Sequence, residues 1–308
     1  MPRLAFIFPG QGAQHPGMGK ELAVNYAEAA LIYDQADEIV GYKLSTLCFE
    51  GPAEQLNRTE FAQPALLATS LAIFEVVKNH GLSPVMLAGL SLGEYTALVA
   101  SGAISLQEAL PLVQHRALFM QGAVPDGKGA MAAVIGLEAD QVNDICQNTR
   151  GIVDIANYNC PGQLVISGEK EAVNEAAAIF KRMGGRVIAL AVSVPSHSEL
   201  MRNAAYRLLP ELQCVNWQEP SVPVVSNVNA QANSCQEFAH LLKKQLFSPV
   251  LWEQSIRYML NQVDYFVEIG PGSTLSGLIK KIDRPRLLGQ IEDIHSLNKL
   301  LAEASHHE

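Results

Sequence analysis

Ser91 stands in Gly89-Leu90-Ser91-Leu92-Gly93, a G-x-S-x-G. The apolar run Pro84–Gly89 before it reads as a short strand, and Leu92–Ser101 after it reads as a helix stopped by Gly102. A serine at a tight strand-to-helix turn is the nucleophile-elbow pattern. The turn lifts the hydroxyl clear of the sheet, and the glycines let the backbone crowd around it. The N–H of Leu92, at the head of the helix, then points where an oxyanion would develop. The same five residues also describe a small-residue turn without chemistry.

A serine nucleophile needs a base. Of the eight histidines, His80 precedes Gly81 at a helix end, where a cation suits the dipole. His240 reads as a helix-surface residue, and His306 and His307 lie in the tail. His197, in Pro195-Ser196-His197-Ser198, follows an apolar strand on a connecting loop, where functional residues concentrate. It also fits an ordinary loop histidine, and His15 in a Gly-rich turn is its rival. No acid is obviously available to orient it. Asp126, Asp140, Asp144 and Asp154 fall between Ser91 and His197, but all lie in a segment that reads as an inserted unit. A carbonyl oxygen can orient an imidazole through Nδ1–H equally well.

Arg116 interrupts a helical stripe. Ala109, Leu112, Val113, Ala117 and Met120 share its face and are all apolar. A buried, unpaired guanidinium costs several kcal/mol, so a carboxylate should meet it. That carboxylate belongs either to the protein or to a substrate, which arginine would grip bidentately. Gln11, in Pro9-Gly10-Gln11-Gly12, follows the first strand directly. Its N–H would face the carboxyl end of a sheet, where open α/β sheets place ligands. The loop is neither a G-x-G-x-x-G nor a P-loop, and alone it reads as a plain Gly-rich turn.

These residues must be held by a frame. Leu4–Phe8 reads as a buried strand, Ala27–Val40 and Pro64–His80 as helices, and Ser105-x-x-Glu108 as the box opening a helix to about Gln121. From Ala130 to Val194 the order becomes β-α-β-β-α-β, the ferredoxin-like unit, with its last strand over Arg186–Val194. Strands and helices then alternate to the end. The expected fold is α/β: a core with a mostly parallel sheet from residues 1–125 and 196–308, and an inserted α+β subdomain from 126–195.

Composition narrows the function classes. The 308 residues are 48% hydrophobic and 17% charged, as in a packed globular enzyme. With 22 basic and 31 acidic residues, the net charge is −9, and no Lys/Arg run gives a nucleic acid a footprint. The uncharged run Phe61–Phe74, longer than the opening apolar run Leu4–Phe8, is shorter than a membrane span. Five scattered cysteines without a CxxC pair fit a reducing compartment and argue against both a disulfide framework and a zinc ribbon. A cytoplasmic protein without metal is expected.

Taken together, the segments resemble bacterial malonyl-CoA:acyl carrier protein transacylase of type II fatty-acid synthesis. The resemblance rests on Phe8-Pro9-Gly10-Gln11-Gly12-Ala13-Gln14, Gln63-Pro64-Ala65, Gly89 to Tyr95, His115 to Gln121 and Gly129 to Ala133. It continues through Asn157 to Gln163, Val192 to His197, Gln245 to Val250 and Glu268 to Gly272, in order over nearly the whole chain. It implies an α/β-hydrolase-like core with a ferredoxin-like insertion, and a two-step transfer. Ser91 takes malonyl from malonyl-CoA with His197 as base, and the phosphopantetheine thiol of acyl carrier protein then takes it from Ser91.

The resemblance further implies that Gln11 and Leu92 supply the oxyanion N–H groups and that Arg116 pairs the malonyl carboxylate. Gln245 matches the position whose carbonyl orients the histidine, and Asn157, Ser196 and Met120 match pocket-lining positions. No enzyme-bound cofactor is implied, and a monomer is expected. One departure is Leu90, where many members carry histidine. Two other readings stay open: the same transfer for a polyketide carrier, and a serine hydrolase or thioesterase. A catalytically idle carrier-binding module is the non-enzymatic alternative.

Overall fold

A computed structural model describes residues 2–192 and 194–305; Met1, Ser193 and the tail 306–308, with His306 and His307, lie outside the described residues. The strands in chain order are β1 (Leu4–Phe8), β2 (Pro84–Gly89), β3 (Gly129–Ile135), β4 (Val153–Cys160), β5 (Gln163–Glu169), β6 (Arg186–Ala189), β7 (Val224–Val225), β8 (Tyr265–Ile269) and β9 (Leu287–Ile291). They form two sheets. One has the order β7-β2-β1-β8-β9, with every pair parallel. The other has the order β4-β5-β3-β6, with every pair antiparallel.

The parallel sheet is built on β1, which is buried along its whole length. Alternate residues face opposite sides of a strand. Phe6 and Phe8 accordingly enter one core, edge-on to Phe74 at 6.3 and 6.1 Å, while Ala5 and Ile7 enter a second core with Trp252. A strand covered on both faces reads as a continuous apolar run, as Leu4–Phe8 does. The register pairs Phe8 with Gly89, so β1 and β2 end side by side. This brings the loop at Gln11 next to the turn at Ser91.

The helix expected from Pro64 begins five residues earlier, at Thr59, and runs to Asn79. Pro64 therefore sits inside it and costs it one N–H donor. By length and composition this helix is apolar enough to cross a membrane, yet most of its residues are buried inside the fold. It is the central core helix, packed against the helices Ala27–Val40, Leu92–Ala100 and Leu106–Gln121.

The antiparallel sheet carries the helices Ala139–Asn148 and Lys170–Arg182 on a separate core that includes Val134, Ile155, Ile166 and Phe180. Its last strand is shorter than the sequence reading, ending at Ala189 rather than Val194. β6 is an edge strand, paired with Ala132–Ile135. Past one further backbone bond, Leu190 N to Met131 O at 2.9 Å, the chain peels away to return to the parallel sheet. Strand β4 is tied back to that part of the molecule by Val250 N to Ala156 O and Tyr158 N to Val250 O, at 2.8 and 2.9 Å. This fixes Asn157 at the mouth between the two sheets.

Candidate active site

Ser91 caps the helix Leu92–Ala100 with φ +53° and ψ −103°, a conformation side-chain-bearing residues rarely adopt. The neighbouring glycines are required by contact. A Cβ on Gly89 would lie 1.9 Å from the carbonyl carbon of Gly93, and one on Gly93 would lie 2.1 Å from the Phe8 oxygen. β1, β2 and the helix thus meet backbone against backbone, with Ser91 at the apex.

Two side chains from distant parts of the chain meet at the Ser91 hydroxyl. His197 Nε2 is 2.8 Å from Oγ, and Arg116 Nη2 donates to Oγ at 3.1 Å. His197 Nδ1 lies 2.7 Å from the backbone oxygen of Gln245. A carbonyl only accepts, so Nδ1 carries the proton and Nε2 offers its lone pair to the serine O–H. No carboxylate bonds to this ring among the described residues. Burial first, and then the charge of Arg116, push the His197 pKa down to about 4. The imidazole is neutral at neutral pH.

Arg116 is 1% exposed, and every acceptor it meets is neutral. Nη1 donates to Gln63 Oε1 at 2.7 Å and Nη2 to Gln245 Oε1 at 3.1 Å, while Nε has no partner among the described residues. Its guanidinium carbon stands 5.3 Å from the Tyr95 ring centre. No ion pair among the described residues includes it. The protein thus presents a buried cation held by amides, a hydroxyl and an aromatic face, but not neutralised by direct contact with a carboxylate.

Gln11 and Leu92 line the same cavity as Ser91. The side chain of Gln11 is held by Thr59, Nε2 to Oγ1 at 3.1 Å. Neither backbone N–H is taken by a protein acceptor among the described residues. The cavity, of about 310 Å³, lies between the two sheets. Met120, Asn157 and Ser196 line it, as does Leu90, whose apolar side chain packs on the Trp252 core. The segment after β6 adds Leu190, Val192 and Val194 to the wall. A volume of this order suits a small ligand in a mostly apolar cleft with few polar groups.

The other histidines lie elsewhere. His15 is exposed and 3.8 Å from Glu292, His80 Nδ1 faces Val76 O at 2.9 Å, and His115 pairs with Glu211 at 2.5 Å on the surface. Among the described residues, no group of three or more His, Cys, Asp or Glu side chains is positioned to hold a metal ion.

The family model for the acyl transferase domain matches residues 5–293. Malonyl CoA-acyl carrier protein transacylase of Bacillus subtilis is 48% identical over 290 residues, covering 92% of each chain. The chain belongs to this family. The solved transacylase of Clostridium perfringens superposes with a TM-score of 0.96 at 41% identity, over 99% of this chain and 98% of that one. A malonyl-transacylase solved in complex with its type II PKS acyl-carrier protein gives a TM-score of 0.94 at 41% identity, over 97% and 99%. As a member of the transacylase family, the chain is an acyltransferase.

The fold brings Ser91, His197, Arg116, Gln11, Leu92 and Gln245 to one place, with Met120, Asn157 and Ser196 around them. Residue-by-residue reasoning gave no role to Gln63, Glu94 or Asn227, all buried here. Gln63 and Glu94 sit inside motifs that carry the transacylase resemblance, which was a usable signal. Asn227 follows the two-residue strand β7 and carried none.

Proposed function

We propose that this acyltransferase moves malonyl from malonyl-CoA to the phosphopantetheine thiol of acyl carrier protein through a malonyl ester on Ser91. The observation that carries the reading is the meeting of a neutral imidazole and a buried guanidinium on one serine oxygen. His197 Nε2 accepts the Oγ proton as Oγ attacks the thioester carbonyl. The N–H groups of Gln11 and Leu92 stabilise the oxyanion of the tetrahedral intermediate. Collapse expels CoA, whose sulfur takes the proton from His197. The carrier thiol then gives its proton to Nε2, attacks the malonyl-serine ester, and Ser91 leaves with that proton.

Arg116 pairs the free malonyl carboxylate. The neutral groups in direct contact with it and its unpartnered Nε support this role, because no carboxylate of the described residues bonds to the guanidinium and the malonyl carboxylate would. Backbone carbonyl 245 fixes the ring of His197, and Met120, Asn157 and Ser196 shape the pocket. We read the parallel sheet with its helices, residues 1–125 and 196–308, as an α/β-hydrolase-like core, and 126–195 as an inserted ferredoxin-like subdomain. The five cysteines are all free, in keeping with a cytoplasmic setting.

A type II polyketide carrier is the second reading of the acceptor, favoured by the similarity to the malonyl-transacylase solved with such a carrier. The test is transfer of radiolabelled malonyl from malonyl-CoA to holo carrier proteins of both kinds, with free malonate measured alongside. Label on a carrier well in excess of malonate supports the transferase. Malonate as the main product, whatever carrier is present, would make the protein a thioesterase.

A further inference from the structure

The strained conformation of Ser91 needs holding, and both polar groups of its backbone are held by buried side chains from far along the chain. Asn227 Oδ1 accepts the Ser91 N–H at 2.7 Å, and Asn227 Nδ2 donates to Gly89 O at 2.7 Å. Gln245 Nε2 donates to the Ser91 carbonyl at 3.0 Å. One atom joins these two clamps. Oε2 of Glu94 accepts the backbone N–H of Asn227 at 3.1 Å and Gln245 Nε2 at 2.7 Å.

The sense of the Gln245 amide follows from that contact. A carboxyl oxygen accepting a bond draws the Nε2 end of the amide, so the Oε1 end turns to Arg116 Nη2, 3.1 Å away. A flipped amide would set its NH2 against the guanidinium and its oxygen against the carboxylate. Glu94 is 3% exposed, in the first turn of the helix Leu92–Ala100. Favouring the helix dipole needs no such burial, and burying a carboxyl group is costly unless it is well bonded.

We infer that Glu94 is a positioning residue for the transfer, acting through Asn227 on the turn at Ser91 and through Gln245 on Arg116. This rests on the proposed malonylation of Ser91. What matters is an acceptor oxygen at Oε2 rather than a charge, because both contacts are made to that one atom. A glutamine amide oxygen can make both, and an alanine neither.

The experiment compares wild type, Glu94→Gln and Glu94→Ala in single-turnover malonylation, followed by intact-protein mass at saturating malonyl-CoA, with cooperative melting as a check. Glu94→Ala is expected to slow acylation at least tenfold, with the half-saturating malonyl-CoA concentration moving less than threefold. Glu94→Gln should stay within threefold of wild type. A role in the fold alone would lower the melting temperature of Glu94→Ala and leave its acylation rate near wild type, which overturns the inference. Equal slowing of both variants overturns it in favour of a role for the charge. Should Glu94→Ala fail to fold, Gln245→Met removes the amide while keeping the backbone carbonyl. At least tenfold slowing there supports the inference, and a rate within threefold of wild type overturns it. Wild type forming no adduct overturns the malonylation reading itself and this inference with it, whereas a wild-type adduct with fast Glu94→Ala acylation overturns this inference alone.

Discussion

The guanidinium of Arg116 donates to the hydroxyl oxygen of Ser91 at 3.1 Å, so the buried charge stands at the proposed nucleophile before any substrate arrives. An acyl group joined to that oxygen begins its chain beside a cation. Malonyl ends in a carboxylate and acetyl does not, so of the two only malonyl would supply a counterion in direct contact with Arg116.

Arg116→Ala should therefore cut malonyl transfer far more than acetyl transfer. Leaving a buried charge unpaired costs about 2–5 kcal/mol, so the ratio of the two rates should narrow by at least about tenfold. Arg116→Lys should recover part of the difference, because an ammonium cannot make the bidentate pair. Rates for both donors on cooperatively melting variants decide the point. A parallel fall would mean that Arg116 serves only the fold.

The base should work below the ordinary histidine range. Burial and Arg116 hold the His197 pKa at about 4, so the acid limb of kcat/KM should lie well under pH 6.5. Replacing Arg116 by alanine removes the second cause and should move that limb upward. An acid limb at 6.5 or above in wild type would contradict the neutral, desolvated imidazole.

The same shift bears on stability. Because the folded-state pKa of His197 is depressed, the unfolded chain binds more protons as pH falls from about 6.5 to 4. The contribution is present above 6.5 and is lost as pH falls through the folded value. Relative to His197→Gln, wild type should lose melting temperature across that window. Glu94, pushed up to about 7 by burial, slopes the opposite way, but it is common to both proteins. Parallel melting curves against pH would contradict the burial of a neutral ring.

Glycine at 89 and 93 is dictated by backbone contact. Gly93→Ala would bring a methyl to 2.1 Å from the Phe8 oxygen, and β1 or the helix must shift. We expect a loss of about 2 kcal/mol or more in denaturant unfolding, together with slowed acylation. An unfolding midpoint and acylation rate matching wild type would contradict the contact.

The turn at Ser91, the loop at Gln11 and the charge in the helix stripe were legible because each breaks a local pattern: glycines at fixed offsets, or an arginine among apolar residues. The strand Leu4–Phe8 and the order of the inserted unit were legible from periodicity. The start of the helix at Thr59 was not, because Pro64 imitates a helix head and the preceding turn is amphipathic. The end of β6 was not either: Leu190, Val192 and Val194 continue a strand-like alternation, but past the Leu190 bond to Met131 the chain leaves β3, and these side chains line the cavity at Ser91. Whether the partner of Arg116 was internal or external could not be read from one helix. It depends on Gln63 and Gln245, which lie 53 and 129 residues away. Asn227 is similarly invisible, because its role is set by a contact 136 residues distant.

The central claim is a malonyl ester on Ser91 on the way from CoA to a carrier thiol. Its most direct test is brief incubation with malonyl-CoA, then intact-mass measurement, peptide mapping, and a chase with holo acyl carrier protein. The account predicts a gain of one malonyl group, mapped to the peptide bearing Ser91, absent from Ser91→Ala, and discharged onto the carrier much faster than into water. Turnover of Ser91→Ala should be lower by several orders of magnitude. An adduct that persists in Ser91→Ala, or maps to another residue, would contradict the account.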